Sequence, residues 1–95
     1  MIIHTVAFQW KSGATPDIQQ EALEQLTALK AEIPEVQEAY VGPNTAPHAG
    51  GYVLAATMIF ASQAALNAYL AHPAHQALVG WLGAWVDLVE IDIAA

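Results

Sequence analysis

Residues 66–81 read LNAYLAHPAHQALVGW. Pro73 interrupts what is otherwise a helical run, and proline is accommodated in the first turn of a helix, where its missing N–H would be unpaired anyway. The stretch therefore predicts two helices, one closing near Leu70 and one opening at Pro73, with His72 immediately before it. His75 falls in the first turn of the second helix, near the positive end of its dipole, a field that favours neutral imidazole over imidazolium. A neutral imidazole accepts a proton, as a general base must. Tyr69 stands at the end of the preceding helix, and the turn can fold it back toward His75.

Outward from this broken helix, the flanking segments alternate between strand and helix patterns. Toward the N-terminus, Tyr52–Phe60 is nearly all apolar and predicts a central strand, and Ser62 can cap the helix that begins at Gln63. Before it lies Gly42–Gly51, rich in glycine and proline, and before that a more polar strand over Val36–Val41. Thr15-Pro16-Asp17 is a helix start with hydroxyl cap, proline and acid. Ile18, Ala22, Leu26, Leu29 and Ile33 then recur at helical spacing up to Pro34. Ile2–Trp10 alternates with both faces mostly apolar, which predicts a strand covered on two sides. Toward the C-terminus, the second half of the broken helix runs to about Trp85, and Val86–Ile93 is the last strand.

The order strand–helix–strand–strand–helix–strand is the split βαβ, ferredoxin-like α+β arrangement, a four-stranded antiparallel sheet with helices on one face. The 95 residues make one domain, 1–95. Of these, 56% are hydrophobic and only 12% charged, much apolar surface for so small a monomer. A second copy covering the bare sheet face would hide it, which predicts a homodimer built as an α/β barrel.

The net charge is −7, with Lys11 and Lys30 the only lysines or arginines, so no cationic footprint for nucleic acid or an anionic membrane is present. There is no cysteine, which excludes disulfides and thiolate metal sites and suits a reducing cytoplasm. MIIHTVAFQW lacks the basic region and cleavage site of a signal peptide, and no run reaches the roughly 18 apolar residues of a membrane span. No phosphate loop, nucleophile elbow or dinucleotide fingerprint occurs.

Each candidate residue has a chemical and a packing reading. His75 is a general base or a hydrogen-bonded residue of a helix start. Tyr69 stabilises an enolate, orients His75, or is an aromatic core residue. His72 suits capping or an interface, and His4, alternating with Val6 and Phe8, faces a core or a cavity. His72 and His75 with His4 could in principle ligate a metal, but no carboxylate is adjacent in sequence and no metal is expected. Trp81 and Trp85 form a packing stripe, and Glu90 is read as solvated.

Several motifs together resemble the stress-responsive dimeric α/β-barrel (Dabb) family. They are Ile3-His4 with a strand ending Phe8-Gln9-Trp10-Lys11, then Ile33-Pro34, Val41-Gly42, Gly51-Tyr52, Phe60 and the block Tyr69-Leu70-Ala71-His72-Pro73-Ala74-His75. A plant member of that family folds a linear polyketide thioester by aldol condensation. The resemblance implies catalytic roles for His75 and Tyr69, and a hydrophobic substrate pocket with His4, His72, Val6, Leu26, Leu54 and Trp85 in its wall. Leu54 stands where the plant enzyme has a histidine, and Ala22, Leu23 and Leu26 where it has aromatic residues, so the implied wall differs. The implied activity is cofactor-independent polyketide cyclisation; the alternative is a non-catalytic, stress-associated or ligand-binding dimer. A cavity of roughly a few hundred Å³ opening at Tyr69 and His75 would favour the enzyme.

Overall fold

The structure, a computed structural model, describes residues 1–95. Its elements are β1 (Ile2–Trp10), α1 (Pro16–Glu32), β2 (Glu38–Pro43), β3 (Leu54–Phe60), α2 (Gln63–Ala71), α3 (Pro73–Leu82) and β4 (Val86–Ala94). All strand pairs are antiparallel, in the order β2-β3-β1-β4, so β3 and β1 are central. This is the ferredoxin-like α+β fold read from the sequence.

Local chemistry sets the helix limits. The Thr15 hydroxyl accepts from the Ile18 N–H at 3.3 Å, Pro16 opens α1, and Ile33 leaves the helix in an extended conformation because Pro34 follows. Ser62 caps α2 in the same way through the Ala65 N–H. The α1 stripe is buried as its spacing predicts, with Ala22, Leu26, Leu29 and Ile33 inside the core and Ile18 half-buried.

Four boundaries differ from the sequence reading by two residues or more. β2 begins at Glu38 rather than Val36, because Val36 closes a turn onto the Ile33 carbonyl and buries its side chain there. β2 ends at Pro43 rather than Val41, because Gly42 and Pro43, read as the start of the loop, stay in register with Ala55 and Leu54 of β3. β3 begins at Leu54 rather than Tyr52, because the Tyr52 N–H bonds the Ala49 carbonyl inside the preceding loop. Gly51 has φ +88° there, a backbone conformation that favours glycine; a Cβ on it would displace only the end of the Gln9 side chain. α3 stops at Leu82 rather than near Trp85, since the Ala84 and Trp85 N–H groups turn back onto Trp81 and Leu82.

The register separates two sheet faces. Ile2, His4, Val6 and Phe8 of β1 share a face with Leu54–Phe60 alternates of β3 and with Val86, Leu88, Glu90 and Asp92 of β4. The helices cover this face, and the core lies between, with Leu29, Ile33, Met58, Phe60 and Leu66 fully buried. The opposite face has no layer over it within the chain. It carries a Thr5–Thr57 hydroxyl pair at 3.0 Å and leaves Tyr40, Val53, Val89, Ile91 and Ile93 exposed.

Candidate functional site

The junction of α2 and α3 is built by the HPAHQ block itself. The last carbonyls of a helix lack partners within it. Here the Leu70 carbonyl receives both the His75 Nδ1–H at 3.1 Å and the Gln76 side-chain amide at 2.8 Å. His72 caps α3, its Nδ1 accepting from the Ala74 N–H at 3.0 Å while its carbonyl accepts from the Gln76 N–H. Both rings bond the backbone through Nδ1 but in opposite senses: His72 Nδ1 accepts, so its proton is on Nε2, whereas His75 Nδ1 donates.

Because a carbonyl only accepts, the bond to Leu70 places the His75 proton on Nδ1 and leaves Nε2 bare in the neutral ring. Nε2 has no protein partner and is not sealed off. Burial lowers the His75 pKa below 6.5, and nearby His4 lowers it further, against the raising effects of the Leu70 bond and Glu90. Burial is therefore the leading cause of the neutral form, where the sequence pointed to the helix field. Tyr69 packs against His75 with ring centroids 4.6 Å apart and against Phe60 at 5.0 Å. Burial, then Glu90, pushes its pKa up to about 12, so the phenol stays protonated and is a hydrogen-bond donor. Its hydroxyl has no protein partner either.

Both groups face a cavity of about 160 Å³ between the sheet and the helices. Its floor is the β3–β1–β4 part of the sheet, with Met58, Val6 and Phe8; Leu26 and Leu29 of α1 and Leu78 of α3 close over it. It is smaller than the sequence led one to expect, because leucine and methionine side chains fill much of the space. A volume of this size suits one aromatic ring.

Of the expected wall, His4, Val6 and Leu26 line the cavity with Tyr69 and His75; His72, Leu54 and Trp85 do not. His72 is turned to its cap. Leu54 is buried on the same sheet face, between Phe8 of β1 and Pro43 of β2, without lining the cavity. Trp85 lies after α3 has ended, and its ring covers the Gly13 turn, 3.8 Å from where a Cβ there would be. Conversely Glu90, exposed as expected for a solvated residue, lines the cavity, and Asp92 bonds His4. The signal for both was present: alternation along Val86–Ile93 puts them on the face of Val86 and Leu88.

A small α+β domain with a ferredoxin-like sheet, a histidine-proline helix junction and an apolar cavity beneath it defines the class. The sequence model of the stress responsive A/B barrel domain (Dabb) matches residues 2–95, and the chain belongs to that family. No functionally curated protein matches it. Among solved structures, a dimeric ferredoxin-like protein of unknown function from Thermobifida fusca is 28% identical, with TM-score 0.87 over 99% of this chain and 90% of that one. A Dabb family protein from Mesorhizobium loti is also 28% identical, with TM-score 0.86 over 99% and 95%. The hydroxynitrile lyase of Passiflora edulis, at 19% identity and TM-score 0.81 over 98% and 93%, shares the fold, so the fold is one that serves enzymes as well. No helix here is long and apolar enough to cross a membrane.

Proposed function

We propose that the chain is an enzyme that closes a ring in a poly-β-keto substrate by a cofactor-independent, aldol-type condensation. The observation that carries this reading is the bare Nε2 of a half-buried, neutral His75 at an apolar cavity. His75 Nε2 takes the acidic proton between two carbonyls, and the carbon's electron pair attacks a second carbonyl carbon of the same molecule. The oxygen of that carbonyl takes the proton back from the His75 imidazolium and becomes a hydroxyl. Tyr69, held as a phenol, donates a hydrogen bond to the negative oxygen that develops. Apolar walls exclude water and hold the chain folded, which converts attack into a favoured intramolecular step. The cavity takes one ring at a time, so the ring being closed is inside and the rest of the chain extends past Val79 and Leu88.

The test uses a linear poly-β-keto N-acetylcysteamine thioester, with carbocyclic product separated from spontaneously formed lactone. Wild type should enrich the carbocycle, and His75→Ala, folded by circular dichroism, should lose at least about a hundredfold in that product. Equal yield from both proteins would refute the base.

A second reading is favoured by the bare sheet face: a homodimer whose two sheets pack into a barrel, its cavities binding a hydrophobic small molecule without turnover. Dimerisation is common to both readings, and a cytoplasmic setting suits both. Saturable binding with no product would select the second.

A further inference from the structure

The β1–β4 register sets Asp92 directly across from His4. Both project to the helix-covered face, and His4 Nδ1 lies 2.5 Å from Asp92 Oδ1. A carboxylate accepts and cannot donate, so Nδ1 carries the proton and the ring is held in one orientation. Nε2 is then the nitrogen left for a guest: it has no protein partner, and it is not sealed in. The residue itself is only 3% exposed, so that guest reaches it through the cavity His4 lines. Tyr69 is a neighbour of both imidazoles, its ring 6.1 Å from that of His4 and 4.6 Å from that of His75.

We propose that His4, braced by Asp92, forms together with the Tyr69 hydroxyl a binding site for the hydroxyl of a planar enol or phenol, with Asp92 as the positioning residue. The proposal rests on the reading of the cavity as a carbon-acid site and adds where the oxygen goes. The hydroxyl of an enol or phenol both donates and accepts, so it donates to the bare His4 Nε2 and accepts from the Tyr69 O–H. One proton shared between Nε2 and that oxygen makes the bond, and the Asp92 carboxylate balances positive charge arriving on the ring. Elsewhere the lining is apolar, with Phe8, Leu29 and Met58, so the polar groups fix orientation. Phe60 lies edge-on to the His4 ring at 6.3 Å and limits its rotation.

The experiment titrates the full chain, labelled with ¹⁵N in histidine, with 4-nitrophenol. In the free protein the His4 resonances should show the proton on Nδ1. The ligand should move His4 Nε2, and Asp92→Asn should weaken 4-nitrophenol by roughly tenfold or more, as expected for loss of a charge-assisted bond. Asp92 lies on an edge strand with its side chain 44% exposed, and the dispersion of the amide spectrum checks that the variant is folded. If it is not, the ligand-induced shift of His4 in wild type decides alone. A free-state proton on Nε2 with Nδ1 bare, a ligand that moves only His75 or does not bind, or a folded Asp92→Asn that binds as tightly as wild type would each overturn the proposal. Since no turnover is read, the result stands apart from the fate of His75→Ala in the thioester assay.

Discussion

His75 donates its Nδ1–H to the carbonyl of Leu70, 3.1 Å away, across the break between α2 and α3. That bond links a helix end to a helix start and, at the same time, presents the opposite nitrogen to the cavity. Its acid–base behaviour follows from burial. The folded His75 pKa lies below the unfolded 6.5. Between those two values the unfolded chain binds the proton and the folded chain does not, so stability falls as pH drops from 6.5 toward the folded value and levels off below it. The acid limb of kcat/KM should accordingly lie below 6.5, and an NMR titration of the His75 ring should give the same midpoint. Glu90 opposes the shift, so Glu90→Gln should move that midpoint further down.

Tyr69 contributes an aromatic ring to the core and a hydroxyl to the cavity. The hydroxyl bonds no protein atom, so Tyr69→Phe should change stability by no more than about 0.5 kcal/mol, the range of a substitution that removes no packing. Formation of the carbocycle should nevertheless drop by about ten- to a hundredfold if the phenol donates to the developing oxygen. Urea melts and product ratios from the same preparation check both halves.

His72 is expected to matter to stability more than to chemistry. His72→Ala removes the side-chain acceptor for the Ala74 N–H and should cost about 1 kcal/mol in thermal or urea unfolding. His72→Asn restores an acceptor and should recover most of it. A loss of turnover in His72→Asn at full stability would place His72 in the chemistry instead.

The uncovered sheet face should be the contact between two copies. Ile91 and Ile93 are each 53% exposed on it. Ile91→Arg places a charge where the second sheet would pack and should convert a dimer to a monomer in sedimentation velocity. A wild-type monomer at micromolar concentration would contradict the homodimer.

Element order was legible because it depends on short-range signals. Thr15-Pro16, Ile33-Pro34, Ser62 and His72-Pro73 each fix a helix end through a bond or a steric limit a few residues long, and alternation in Ile2–Trp10 marks a strand whatever lies beside it. Strand starts were less legible. Val36 and Tyr52 have the side chains of strand residues, but turn hydrogen bonds to Ile33 and Ala49 claim their backbone.

The sequence by itself placed Tyr69 six positions before His75, across one proline, so that a single turn could bring them together. Which partners they meet was decided only by the folded chain. His4 and Asp92 are 88 positions apart, and they touch because strands β1 and β4 pair in one register out of several that local pattern allows. The same holds for the cavity wall: Leu54 and Trp85 are apolar residues as suitable as Leu26, yet a wall is made by side chains that converge in space, and convergence is a property of packing that no local spacing encodes.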